Sequence, residues 1–152
     1  MRPHKHFLLD ATIAKAPTDE EAMKEFLRNL IVDIGMVVAK LSKDQNNPIA
    51  WYCDEEGNEG MTASGILTTS HVVFHVWDRV DTAEIHFDLY SCSDFKVNHI
   101  VSLLNEQFGL IEGKGHVINR RGNQIDYVMV NNSELAFYEM QILEDTFSKI
   151  ER

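Results

Sequence analysis

Two stretches in the middle of the chain alternate apolar and polar residues with a period of two, and a short polar segment joins them. They are Ser70 to Trp77 and Glu84 to Tyr90, joined by Asp78 to Thr82. That pattern predicts a β-hairpin. Val72, Phe74 and Val76 share one face with Ile85, Phe87 and Leu89. Such a face must be covered, and helices are the available cover. The other face carries His71, His75, Trp77, Glu84, His86, Asp88 and Tyr90. It is too rich in aromatic and ionisable groups for an ordinary solvated face. The turn also sets a register in which paired residue numbers sum to about 161. On that register Cys92 lies across from Thr69, next to Ser70.

The remaining elements fit around this hairpin. Phe7 to Ile13 reads as a first strand. Thr18 and Glu21 form a capping box for a helix. That helix carries Phe26, Leu27, Leu30, Ile31, Ile34, Val37, Val38 and Leu41 at helical spacing. After a polar break at Lys43 to Pro48, Ile49 to Cys53 is a short strand. Asp54 to Gly60 is an acidic loop and Met61 to Thr69 a further strand. Val97 to Phe108 is a second helix, ended by Gly109. His116 to Asn119 and Ile125 to Asn131 suggest another hairpin, around Arg121-Gly122-Asn123. Ser133 to Ile150 reads as a C-terminal helix capped by Ser133. The expected fold is α+β: a two-layer sandwich of an antiparallel sheet with helices on one face. It forms a single domain over residues 1–152, with a helical extension at about 132–152.

Composition excludes several classes. A formal net charge of −10 argues against nucleic acid as a partner; it would suit a cationic ligand, but solubility alone is the commoner reason for such acidity. No apolar run is long enough to span a bilayer. Asp10 breaks the apolar run after the basic start Met1 to His6, so a signal peptide is not expected. Cys53 and Cys92 read as free thiols in a reducing cytoplasm.

Local motifs narrow the chemistry. His71 and His75 lie about 13 Å apart along a strand, too far for one metal ion. No metal is therefore expected. Gly57-Asn58-Glu59-Gly60 lacks the Lys-Ser/Thr ending of a phosphate loop. No Gly-x-Ser-x-Gly elbow occurs. Taken singly, Ser70 reads as a strand-start hydroxyl, Cys92 as a small buried apolar residue, Trp77 as packing and His75 as a structural histidine.

Taken together they read differently. Ser70-His71-Val72-Val73-Phe74-His75-Val76-Trp77, followed by Phe87-Asp88-Leu89-Tyr90-Ser91-Cys92, resembles the S-adenosylmethionine decarboxylase family, in its small prokaryotic-type form. Lys5 to Asp10, Gly60-Met61-Thr62 and Gly115-His116-Val117-Ile118 extend the resemblance, which covers roughly the first 123 residues. It departs from the family where Thr69 and Thr62 replace the usual glutamate and serine.

The resemblance implies a proenzyme cut between Thr69 and Ser70, with Ser70 becoming a covalent pyruvoyl group that forms a Schiff base with the substrate amine. It makes Cys92 the acid, His75 and Thr62 aids to self-processing, and Trp77 a contact for the adenine or sulfonium of S-adenosylmethionine. The implied product is the aminopropyl donor of polyamine (spermidine) synthesis, made in the cytoplasm. A same-fold decarboxylase of a basic amino acid, or an unprocessed relative that binds a ligand or partner chain, are the alternatives.

Spacing adds one further expectation. His75 stands five residues beyond Ser70, about 16 Å along a strand and on the opposite face. A homodimer with a shared active site would let His75 and Thr62 of one subunit reach Ser70 and Cys92 of the other.

Overall fold

A computed structural model describes residues 2–43, 45–79, 81–122, 124–131 and 134–141. The chain runs β1 (Lys5–Ile13), α1 (Glu20–Asp33), β2 (Ile49–Cys53), β3 (Gly60–Leu67), β4 (Ser70–Trp77), β5 (Ala83–Ser91), α2 (Val97–Phe108), β6 (Leu110–Asn119), β7 (Gln124–Asn131) and β8 (Glu134–Gln141). The strands form one eight-stranded sheet in the order β2-β3-β4-β5-β1-β6-β7-β8. Every neighbouring pair is antiparallel. The fold is the expected α+β sandwich, with both helices packed on one face. Among the described residues no helix is long and apolar enough to cross a membrane.

Period-two patterning decides which face is covered. Phe7, Leu9, Val72, Phe74, Ile85, Phe87 and Leu89 are all buried beneath the helices. Helix α1 contributes Met23, Leu27, Leu30 and Ile31 to the same core, and α2 contributes Ile100, Val101, Leu104 and Phe108. Phe108 is fully buried, with its ring centroid 5.4 Å from Phe74 and 5.3 Å from Phe26. It therefore ties α2 to both the sheet and α1. Phe108→Ala is expected to cost about 3–5 kcal/mol of stability, read as a lowered midpoint in denaturant. A midpoint close to that of the unmodified chain would show that the helices do not depend on this contact.

The central hairpin keeps the expected register, with His71 opposite Tyr90 and Trp77 opposite Glu84. Helix α2 ends as expected at Gly109, which is left-handed at φ 64°.

Three expectations are corrected. The N-cap of α1 is Asp19, not Thr18: its carboxylate accepts from the Ala22 N–H at 3.0 Å. An acid gains there from the helix N-terminus. Helix α1 also stops at Asp33 instead of continuing through Val37, Val38 and Leu41. Gly35, at φ 78°, closes it with two reversed bonds, Gly35 N–H to the Val32 carbonyl and Met36 N–H to the Ile31 carbonyl, each 2.9 Å. The freed segment pairs alongside β3, where Val38 bridges Leu67. Thirdly, Glu134–Gln141 is strand β8, antiparallel to β7, where a helix was expected. Without it, β7 would be an open edge with unpaired backbone groups. The rest of that expected extension, residues 132–133 and 142–152, lies outside the described residues.

Candidate active site

The face away from the helices is open, and the register lays its residues out in rows. One row crosses the sheet as Trp51, Thr62, His75, His86, Asp10 and Lys114. The Thr62 hydroxyl lies 3.0 Å from Nδ1 of His75. Trp77 packs edge-on to His86, with centroids 4.7 Å apart, and beside His75 at 6.0 Å. Thr62, His75 and Trp77 thus form one group toward the β4–β5 loop.

A second group gathers at the opposite end of β4. Leu67 pairs with Ser70, so β3 turns into β4 through only Thr68 and Thr69. So tight a loop demands a positive φ. Thr69 supplies it at 61°, although a β-branched side chain opposes that conformation. The strand that sequence reasoning ran through Thr69 therefore breaks just before Ser70.

Cys92, one residue past β5, lands across this turn. Its N–H donates to Ser70 Oγ at 3.3 Å, and its sulfur lies 3.9 Å from that oxygen. The sulfur is closer still, 2.8 Å, to the hydroxyl of Thr69. These contacts hold the Cys92 thiol below its ordinary range. The bond from Thr69 acts most strongly, Ser70, Ser93 and the charge of Arg2 assist, and burial opposes. A cavity of about 280 Å³ opens beside them, walled by Gly35, Met36 and Val37 on one side and Thr68 to Ser70 on the other.

Sequence reasoning missed what holds that wall. Asn47 pairs with the end of β3 as a strand would: its Nδ2 donates to the Ile66 carbonyl at 2.7 Å, and Ile66 N–H donates back to Oδ1 at 2.9 Å. The same Nδ2 donates to the Ala39 carbonyl at 2.9 Å. This amide works with two backbone bonds, Ala39 N–H to the Ile66 carbonyl at 2.9 Å and Thr68 N–H to the Val37 carbonyl at 3.3 Å, to hold the segment after α1 beside the Thr68-Thr69 turn. An asparagine in a polar break carries no sequence signal for this role.

A third cluster was also invisible beforehand. Asp88 Oδ1 lies 2.7 Å from Nε2 of His6 and 3.1 Å from Nε2 of His71. Tyr90 stacks on His71 and bonds Nδ1 of His4 at 2.5 Å. The His6, His71 and Asp88 donors lie within 4.8 Å of one another, near enough to hold a cation. Only strand pairing brings His6 to this place. The pair weighed at first, His71 and His75, does not converge: His71 faces Asp88 and His75 faces Thr62.

Of the six residues singled out in advance, the structure joins Thr69, Ser70 and Cys92 in one group and Thr62, His75 and Trp77 in another. Strand β4 runs unbroken between them, so the groups stand about 16 Å apart within one chain.

The site is thus a serine–cysteine pair at a tight turn of a one-sided antiparallel sheet, and the class, a decarboxylase, comes from the family comparison. The family model for S-adenosylmethionine decarboxylase matches residues 5–121, and the chain belongs to that family. Among curated proteins, none matches the chain.

Proposed function

We propose that this protein is a pyruvoyl-dependent decarboxylase of S-adenosylmethionine that cuts itself between Thr69 and Ser70. The product would be the aminopropyl donor for spermidine synthesis in the cytoplasm. The observation that carries this reading is the convergence of Thr69, Ser70 and Cys92 at one strained turn.

Self-processing follows from the chain's own groups. Ser70 Oγ attacks the Thr69 carbonyl carbon, and the C–N bond between the two residues breaks. The hydroxyl proton ends on the Ser70 nitrogen, leaving an ester. Loss of the Ser70 α-proton to base then expels Thr69 as a carboxylate, and water releases the nitrogen as ammonia. The residues present suit the group so formed. Ser70 is half-buried, faces the Cys92 N–H and borders a cavity able to admit part of a substrate. A pyruvoyl carbonyl there supplies an electron sink for the pair released with carbon dioxide. Cys92 holds, at Sγ, the proton that returns to the substrate carbon. Trp77 offers an indole face to adenine or to the sulfonium cation.

His75 and Thr62 assist the cut from a second subunit. Several features of the open face support that pairing. It carries His6, His71, His75, His86 and His116, five of the chain's seven histidines, so a partner sheet would meet a field of hydrogen-bonding groups. It also exposes large apolar side chains that a monomer would leave wet: Ile49, Trp51, Ile66 and Met129. Two such faces brought together about a twofold axis would bring the Thr62–His75 group of one chain to the start of β4 in the other, where the turn at Thr69 opens the end of the sheet beside Ser70 and Cys92.

Denaturing mass spectrometry of the purified protein, with carbon dioxide release from carboxyl-labelled S-adenosylmethionine, tests the proposal. Cleavage after Thr69 yields a piece ending at Thr69 and a piece of Ser70 origin whose first residue is a ketone instead of serine. A chain that stays whole and releases no carbon dioxide after long incubation at neutral pH would instead be an unprocessed binding relative. Release from a basic amino acid in place of S-adenosylmethionine would move the substrate class and keep the chemistry.

A further inference from the structure

We propose that Thr69 makes self-cleavage set the protonation of Cys92, so that the same cut that creates the reactive group also arms its acid. The inference rests on the proposed reading of Ser70 and Cys92. It begins from the contact between the Thr69 hydroxyl and the Cys92 sulfur.

The Thr69 hydroxyl sits between two acceptors, 2.6 Å from the Thr68 carbonyl oxygen and 2.8 Å from Cys92 Sγ. It has one proton to give. Turned to the sulfur, it stabilises a thiolate; turned to the carbonyl, it accepts from a thiol. In the uncut chain both states of Cys92 are therefore met. A glutamate side chain at this position would bring a fixed negative charge before and after the cut. Threonine is neutral until the cut itself creates a charge.

Cleavage creates that charge in place. The bond broken is the one between the Thr69 carbonyl carbon and residue 70, and the carbonyl leaves the reaction as an α-carboxylate on Thr69. The left-handed Thr69 backbone already holds this residue against Cys92. A carboxylate a few ångströms from the sulfur opposes a thiolate and accepts from an S–H. Cys92 is then held as the thiol that a proton donor must be.

The other charges nearby do not cancel this. Arg2 is the charged side chain among the residues lining the cavity, and it is present before and after the cut. Asp94, the next acid along the chain, is engaged by Lys5. Thr69 is accordingly a positioning residue: it acts on the reaction through Cys92.

The test reads the thiol directly. Iodoacetamide labelling of Cys92 is followed against pH by peptide mapping, which separates it from Cys53. The uncut form is Ser70→Ala, and the cut form is the self-processed protein. Neither carries a hydroxyl at residue 70, so that bond is matched between them. Labelling of the cut form near neutral pH should be at least about tenfold slower, with its midpoint about one unit or more higher. Adding Thr69→Val to Ser70→Ala should raise the midpoint of the uncut form, because the thiolate loses its hydroxyl donor. Thr69→Ser should restore it. Equal labelling curves for cut and uncut forms overturn the coupling alone. A wild-type protein that never cuts overturns the reading of function on which the coupling rests. The two failures are told apart by mass.

Discussion

Ser70→Ala and His75→Ala chains, each inert alone, are expected to regain about a quarter of wild-type activity when unfolded, mixed in equal amounts and refolded together. The figure follows from twofold symmetry. Random pairing makes half of the dimers mixed. Each mixed dimer carries one complete site, with Ser70 from one chain and His75 from the other, and one site lacking both. The structural ground is the strand between them. Strand β4 is continuous from Ser70 to Trp77, and His75 is occupied with Thr62 of its own chain. About 16 Å of strand separates His75 from Ser70, against a reach of about 3 Å for proton transfer. Mass spectrometry of the mixture should show cleavage confined to the His75→Ala chain, which alone retains Ser70. A monomeric wild-type protein, or no cleavage in a confirmed mixed dimer, would place His75 outside the processing site.

Cys92→Ala separates the two reactions proposed for this site. Ser70 and the Thr69 carbonyl remain, so the chain should still cut itself. Decarboxylation should fall by about 10²–10⁴-fold, the usual contribution of a positioned acid. Cys92→Ser keeps a group of similar size but is a much weaker acid near neutrality, so it should recover little. Fragment masses and initial rates of carbon dioxide release, taken on the same sample, provide the check. Rates within about threefold of wild type would remove Cys92 from the chemistry. Loss of cleavage with retained folding would move it to the processing step instead.

The hairpin was legible because alternation and loop length are local properties. Counting from Asp78–Thr82 placed His71 opposite Tyr90 and brought Cys92 to the Thr69–Ser70 turn, and the structure keeps both. The second helix was read from first residue to cap, since Gly109 ends it by backbone chemistry alone. The first helix was overrun because Val37, Val38 and Leu41 fall at helical spacing by coincidence, while Gly35 had already closed it. The last strand was misread although its partner is adjacent in sequence. Glu134–Gln141 folds straight back on β7, with Asn131 opposite Glu134, and pairing at that edge overrode the helix expected after Ser133.

Within the candidate site the same division holds. The order Ser-His, His-x-Trp and then Cys pointed to the family by resemblance, and the family model over residues 5–121 agrees. The positive φ at Thr69, the Asn47 clamp on the cavity wall and the His6–Asp88–His71 cluster came only with the folded sheet. The φ at Thr69 follows from the tight turn that strand pairing imposes, whereas the other two depend on bringing together residues far apart in the chain, up to 82 positions for His6 and Asp88. A sequence writes its short-range preferences into every window of a few residues. Which distant groups meet is decided when apolar burial selects one strand order among many, and only that choice aligns β1, β4 and β5 so that their polar faces become one surface.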